Sequence, residues 1–171
     1  MKKKFIYIIT LLIINLIVYY YWPEKKLEKG HIITSLVVLK SERRLNVYAG
    51  DTLLKSYHVS LGKNPLGDKA FEGDNKTPEG QYFIYAKNPN SVCYKNLGIS
   101  YPDKSDILVS KSYRKQPGGD IKIHGLPNRQ GFWGKLHRLI DWTNGCVAVT
   151  NTEMDELYYS VNVGTPIIIN P

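Results

Sequence analysis

The chain has 171 residues, of which 43% are hydrophobic, and it contains 13 tyrosines and 3 tryptophans. This composition supports one folded domain with a real core and excludes a disordered chain. The formal net charge is +8, but no basic run is interleaved with aromatic residues, so we expect a modestly basic surface and no nucleic-acid partner.

The first predicted element is an apolar run of 18 residues from Phe5 to Trp22, preceded by lysines at positions 2–4. A membrane-spanning helix needs ~20 residues, so the run is long enough to cross a bilayer. It ends in Tyr19-Tyr20-Tyr21-Trp22-Pro23, which offers no small-residue cleavage site and is typical of a membrane interface. We therefore predict an uncleaved membrane anchor over residues 1–22, with the rest of the chain outside the cytoplasm. Export after signal cleavage is the alternative.

A short charged linker at residues 23–33 and a single domain at residues 34–171 follow. Apolar alternation predicts the strands, a Gly50-Asp51 turn starts a hairpin, and residues 62–80 form a loop rich in Gly, Pro and Asn. The predicted strands are Ser35–Leu39, Leu45–Tyr48, Leu53–Leu61, Gln81–Ala86, Ile107–Val109, Asp120–His124, Cys146–Val149 and Pro166–Ile169.

One helix is predicted after Thr150, because Thr150 and Glu153 have the spacing of a capping box and Met154, Leu157 and Val161 recur at helical spacing. The expected fold is mainly β with one or two short helices.

Two reactive side chains stand at predicted strand ends. His124 closes the run Ile121-Lys122-Ile123-His124-Gly125, and Cys146 follows 22 residues later in Trp142-Thr143-Asn144-Gly145-Cys146-Val147-Ala148-Val149. An imidazole within hydrogen-bond reach is the commonest means of producing a thiolate near neutral pH. The two residues therefore predict a cysteine nucleophile with its base.

These elements, in this order, resemble the L,D-transpeptidase catalytic domain (YkuD) family of bacterial cell-wall enzymes, and the Asp-Trp-Thr-x-Gly-Cys sequence resembles one subgroup. The resemblance runs from about residue 34 to 170 and includes Thr77–Ile84 and Leu97–Pro102. It implies a single L,D-transpeptidase-like β-sandwich domain, no cofactor and a domain on the outer side of the inner membrane. Many members carry a second His before the Gly-Cys and an Arg or Asn two residues after the Cys, where this chain has Asn144 and Ala148.

The resemblance also implies the chemistry and the partners. Cys146 attacks the third residue of a peptidoglycan tetrapeptide stem and passes the acyl group to an amine, which forms 3→3 cross-links or attaches proteins to the wall. His124 is expected to hold Cys146 as a thiolate and to be oriented by a carbonyl near Gly125. Main-chain N–H groups at Asn144, Gly145 and Cys146 are expected to stabilise the oxyanion, with Gly145 allowing close approach of the substrate. The protein is expected to be a monomer. The further candidate substrate-binding residues are Trp142, Thr143, Asn144, His137 and Arg138.

Several of these residues also fit an ordinary structural role. Two cysteines in an exported chain are more often paired, and a Cys93–Cys146 disulfide would abolish the dyad, although the Gly-Cys context and the placed His favour a free Cys146. His137 fits a packing role equally well, and a solvated charge is the ordinary fate of Arg138. No His-x-x-x-His or Cys-x-x-Cys spacing predicts a metal site, and no Gly-x-Ser-x-Gly sequence predicts a serine hydrolase.

Two other functions fit the same sequence. With water as the acceptor, the site would be an L,D-carboxypeptidase that trims tetrapeptide stems. A wall-binding module would keep the fold without the chemistry, but the presence of both His124 and Cys146 argues against it.

Overall fold

Eight β-strands, three α-helices and one 3₁₀ segment make up the described part of the computed structural model, residues 2–28 and 30–171. Met1 of the predicted anchor and Lys29 of the predicted linker lie outside the described residues. The predicted mainly β fold is confirmed. The helices are α1 (Lys2–Tyr21), α2 (Lys104–Ser112) and α3 (Asn151–Ser160), and the 3₁₀ segment is Gly131–Leu139. The strands are β1 (Ser35–Leu39), β2 (Arg44–Ala49), β3 (Thr52–His58), β4 (Gly80–Ser91), β5 (Tyr94–Ile99), β6 (Lys122–His124), β7 (Val147–Ala148) and β8 (Pro166–Asn170).

The strands form one curled, mixed sheet in the order β3-β2-β1-β8-β4-β5-β6-β7. β1 runs parallel to β8 and β6 runs parallel to β7, whereas the other neighbours are antiparallel. Bridges from Ser60 to Ala148 and from Gly62 to Thr143 join the chain after β3 to the region of β7. The two ends of the strand order therefore meet close to the predicted reactive residues.

Alternating apolar residues produce the core. Leu36 and Val38 of β1, and Ile167 and Ile169 of β8, are at most 1% exposed, while the residues between them are not fully buried. Successive side chains on a strand point to opposite faces, so β1 and β8 each bury every second residue. Full burial of one such side chain stabilises the fold by about 1.5–3 kcal/mol.

One prediction of secondary structure is wrong, and one strand was not predicted. Ile107–Val109 lies in α2 and not in a strand, because the Asp103 side chain caps the helix by accepting a hydrogen bond from the Asp106 N–H. The sequence analysis also does not predict β5. In Tyr94–Ile99 the last four residues are all buried, so this strand lacks the two-residue alternation on which the prediction depends.

The helix predicted after Thr150 is confirmed as α3. The Thr150 hydroxyl oxygen accepts from the Glu153 N–H, and the Glu153 carboxylate accepts in return from the Thr150 N–H. Met154 and Leu157 are buried against the sheet core. Because this cap fixes the start of α3, it also fixes the chain leaving β7, just beyond Cys146.

At the N-terminus, α1 is an exposed apolar helix. Lys3–Tyr21 has a mean hydropathy of 1.8 and is long and apolar enough to cross a membrane, judged by length and composition. None of this stretch is buried inside the protein. Its last turns contact the 3₁₀ segment, where the Tyr20 hydroxyl donates to the Phe132 carbonyl at 2.8 Å.

Candidate active site

His124 is the last residue of β6, and the following main chain fixes its ring. Its Nδ1 donates a hydrogen bond to the carbonyl oxygen of Gly125 at 2.7 Å, which is the kind of partner expected from the sequence. A carbonyl oxygen only accepts, so Nδ1 carries the proton and Nε2 of the neutral ring is the acceptor. A Cβ on Gly125 would lie 2.7 Å from Asn151 Oδ1, so a side chain there would require the Asn151 amide to move. The local backbone therefore presents His124 as a base through Nε2.

Cys146 lies one residue before β7, beside β6. The parallel register sets His124 opposite Ala148, and side chains two residues apart on a strand point to the same face. Cys146 and His124 therefore share one face of neighbouring strands. The Cys146 thiol lies 3.6 Å from the carbonyl oxygen of Asp120. Both Cys146 and Cys93 are free thiols, so the alternative disulfide is not formed.

Burial sets the protonation state of this pair. It raises the pKa of the Cys146 thiol to about 11, although the Lys122 backbone and ammonium group act in the opposite direction. Burial also lowers the pKa of His124 below its ordinary value. Near neutral pH the pair is therefore a thiol and an uncharged imidazole. The sequence predicted a standing thiolate; burial, which that prediction did not consider, instead favours the uncharged pair at rest.

We expect thiolate absorbance from Cys146 to appear only at alkaline pH. An ultraviolet titration of wild type minus Cys146→Ser should show no thiolate step between about pH 5 and pH 8, because burial opposes ionisation of the thiol. Cys93→Ser is the matched control, since burial raises the pKa of Cys93 as well. A near-neutral step that disappears in Cys146→Ser would contradict the neutral pair.

The turn that leads into Cys146 is held by Thr143. This buried hydroxyl donates to the Cys146 carbonyl oxygen at 2.7 Å and accepts from the Gly145 N–H at 3.1 Å. Thr143 was predicted to contact substrate, but its side chain instead shapes the backbone before the thiol. The Gly145 N–H was predicted to bind the oxyanion, but it is already bonded to Thr143. Of the three predicted donors, the N–H groups of Asn144 and Cys146 remain as proposals.

Replacement of Thr143 should separate positioning from folding. Thr143→Val removes both hydrogen bonds and is expected to lower kcat/KM by ~10²-fold, since a displacement of about 1 Å at a reacting group costs that much. Thr143→Ser keeps the hydroxyl and should restore most of the activity. A valine variant with wild-type kcat/KM, or a serine variant as impaired as the valine variant, would contradict this role.

The local structure explains why residue 145 is a glycine. Its φ is +132°, a conformation that side chains rarely adopt, and a Cβ would lie 2.6 Å from the carbonyl oxygen of Lys76. The sequence analysis explained Gly145 by close approach of the substrate. In the structure it is the long loop containing Lys76 that leaves no space for a side chain.

Trp142 packs between two histidine rings. Its ring centroid lies 5.7 Å from that of His124 and 6.4 Å from that of His137, both edge-on. His137 itself is 6% exposed, and its Nδ1 lies 3.1 Å from the hydroxyl of Ser60. Burial lowers the pKa of His137 to about 3, so this ring is uncharged. The structure favours the packing role for His137 over substrate contact, and Trp142 links it to the ring of His124.

Arg138 is paired with two carboxylates inside the protein. Its guanidinium donates to both carboxylate oxygens of Glu24, at 2.7 and 3.1 Å, and to Glu153 at 2.7 Å. The side chain is only 5% exposed. The alternative that Arg138 is a solvated charge is therefore wrong, whereas substrate binding by Arg138 stays a prediction, for a guanidinium that two carboxylates already occupy. Sequence reasoning missed this contact because Glu24 lies 114 residues away, in the predicted linker.

Asp141 is a site residue to which the sequence analysis gave no role. One carboxylate oxygen accepts from the guanidinium of Arg43 at 2.9 and 3.1 Å, and the other accepts from the Leu61 N–H at 2.9 Å. Asp141 thus ties the segment before Cys146 to the chain that follows β3. Its place at the head of the Asp-Trp-Thr-x-Gly-Cys sequence was the available signal.

Asn144 is exposed beside Cys146, and its side-chain oxygen accepts from the Lys63 ammonium at 3.1 Å. It remains a candidate substrate contact. Within residues 2–28 and 30–171, no three His, Cys, Asp or Glu side chains gather where they would hold a metal ion.

The chain is similar in sequence to known proteins. Residues 33–169 match the family model of the L,D-transpeptidase catalytic domain, YkuD. The chain is 30% identical over 149 residues to YafK of Escherichia coli (strain K12), which is named as a candidate L,D-transpeptidase. This match covers 81% of the chain and 52% of YafK, so the chain spans about half the length of that relative.

Solved structures share the architecture at low sequence identity. The helical cell shape determining protein Pgp2 from Campylobacter jejuni is 23% identical, with a TM-score of 0.59 over 86% of this chain and 52% of that chain. L,D-transpeptidase 3 from Mycobacterium tuberculosis, in complex with a faropenem-derived adduct, is 14% identical, with a TM-score of 0.54 over 80% and 60%. Identities this low show the fold alone, and they confirm the predicted L,D-transpeptidase-like fold.

Proposed function

The chain belongs to the L,D-transpeptidase catalytic domain family, and we propose that it is a cysteine-dependent acyltransferase of the bacterial cell envelope. Its donor is a peptidoglycan tetrapeptide stem, and its acceptor is an amine of another stem or of a protein. The exposed apolar helix α1 supports a membrane anchor that holds the domain on the outer side of the inner membrane.

One observation carries the proposal. His124 is locked by the Gly125 carbonyl so that Nε2 is the unprotonated nitrogen, and it shares a strand face with the free thiol of Cys146. A nucleophile, a neighbouring base and a third group that orients the base are the parts that covalent acyl transfer needs.

In the first half-reaction, Cys146 attacks the carbonyl carbon of the third stem residue while its proton moves to Nε2 of His124. Because the resting thiol is uncharged at neutral pH, the proton transfer to His124 and the attack on the carbonyl carbon occur in the same step. The N–H groups of Asn144 and Cys146 are the proposed donors to the oxyanion. When the tetrahedral intermediate collapses, the bond to the terminal D-Ala nitrogen breaks and His124 returns the proton to that amine. A thioester on Cys146 remains.

In the second half-reaction, the acceptor amine attacks the thioester and His124 takes a proton from it. The carbon–sulfur bond breaks, and the proton returns to Cys146 as a thiol. The sum is the exchange of one amide for another, so no oxidant, reductant or cofactor enters the balance.

Mass analysis of products tests the function. The full chain in detergent micelles is incubated with disaccharide-tetrapeptide, and Cys146→Ala is the control. We expect a cross-linked dimer that has lost one D-Ala and is absent from the control. Trimmed tripeptide without a dimer would show that the protein is an L,D-carboxypeptidase and not a transferase. Unchanged substrate, with added amino acceptors present, would overturn the enzymatic proposal and leave a wall-binding module.

A further inference from the structure

The 3₁₀ segment and the residue that follows it, Ile140, carry a surface of large apolar side chains that face outwards. Phe132 is 67% exposed, Trp133 49%, Leu139 61% and Ile140 67%. Phe132 and Trp133 stack with ring centroids 5.5 Å apart. We call these four residues the apolar face. A monomeric soluble domain rarely leaves large apolar side chains grouped in this way unless the surface binds something.

The polar residues of the same segment point the other way. Arg138 is buried between Glu24 and Glu153, His137 is buried against Ser60, and the Lys135 ammonium donates to the carbonyl oxygen of Trp22. A surface segment in water buries its apolar side chains and exposes its charged ones. This segment has the reverse arrangement, which suits an apolar solvent.

The apolar face is continuous with α1. The Tyr20 hydroxyl bonds to the Phe132 carbonyl, and a Cβ on Gly134 would lie 3.0 Å from the Tyr20 ring. Leu16 of α1 lines an apolar cavity of about 490 Å³ together with Trp133 and Ile140. The apolar face therefore lies beside the last turns of the candidate span.

The position of Leu16 in α1 indicates how deep the apolar face would lie in a bilayer. It lies five residues before the end of α1 at Tyr21, and a helix rises 1.5 Å per residue, so Leu16 is ~7.5 Å inside the span. Side chains level with Leu16 would reach the zone in which interfacial proteins bury Trp, Phe and Leu, about 5–10 Å into the boundary of headgroups and acyl chains.

We propose that the apolar face inserts into the outer leaflet of the bilayer beside α1, so that the catalytic domain is docked on the lipid surface and not merely tethered to it. This rests on the proposal that α1 spans the membrane. The docked segment also carries His137 and lies against Trp142, which packs on His124. Docking would hold the site at a fixed height above the membrane, within reach of wall material close to that surface.

Depth-dependent fluorescence quenching tests the docking. The full chain is reconstituted into phosphatidylcholine vesicles, with or without bromine on the shallow part of the acyl chains. The signal of each tryptophan is obtained as wild type minus Trp22→Phe, Trp133→Phe or Trp142→Phe. We expect bromine to quench the Trp133 signal, because its ring would lie among the acyl chains, and to quench the Trp142 signal less, because Trp142 lies deeper in the domain beside His124. Circular dichroism of each variant confirms folding.

The three signals separate the possible failures. Quenching of Trp22 without quenching of Trp133 would overturn the docking and leave the span intact. No quenching of either would overturn both the docking and the span. If bromine does not quench the Trp133 signal but the signal changes when the protein is diluted in lipid, the apolar face binds a second copy of the chain and not the bilayer.

Discussion

Replacement of Cys146 by alanine is expected to abolish turnover of tetrapeptide stems, with a loss of at least ~10³-fold in kcat. The change removes the sulfur that forms the thioester and only a small volume, at a half-buried position. Thermal unfolding should therefore remain close to that of the wild type. Turnover is measured by release of D-Ala from disaccharide-tetrapeptide.

Cys93→Ala is the matched control for this result, because Cys93 is also a half-buried free thiol. It should retain most of the activity. Substantial D-Ala release by Cys146→Ala, or equal losses in the two variants, would show that Cys146 is not the nucleophile.

Removal of the base is the second large effect that we expect. His124→Ala should lower kcat/KM by ~10²–10⁴-fold, the usual contribution of a positioned general base. Because burial lowers the pKa of His124 below its ordinary value, the wild-type ring stays uncharged into mildly acidic solution. The acidic limb of the wild-type pH profile should therefore lie below about pH 6.5, and it should be absent from His124→Ala.

His58→Ala serves as the control for the base, since His58 is an exposed histidine on β3. It should leave both the rate and the acidic limb unchanged. An acidic limb that persists in His124→Ala would assign the titration to another group.

The parts of the fold and site that the sequence predicts are those set by local patterns. β1 and β8 follow their two-residue alternation, and α3 begins at the Thr150 capping box. His124 and Cys146 were recognisable because each stands at a strand end beside a glycine. These signals involve residues near in sequence, and tertiary packing does not change them.

The other parts depend on contacts between distant residues. Gly145 is required by the Lys76 carbonyl, Arg138 is paired with Glu24, and the pKa of Cys146 is raised by the packing around it. No spacing pattern shows which loop will reach which side chain. The outward apolar face of the 3₁₀ segment was missed for the same reason, since only the structure shows which side chains are exposed.

Intact-mass measurement after incubation with a carbapenem tests most directly that Cys146 is the acylated nucleophile. The strained lactam carbonyl presents the same electrophile as the substrate, and the ring nitrogen takes the thiol proton when its bond to the acyl carbon breaks. The adduct therefore adds the whole mass of the drug. Wild type and Cys93→Ser should each carry one adduct, and Cys146→Ser should carry none. An adduct that persists in Cys146→Ser, or a Cys93–Cys146 disulfide as the dominant form of active protein, would contradict the account.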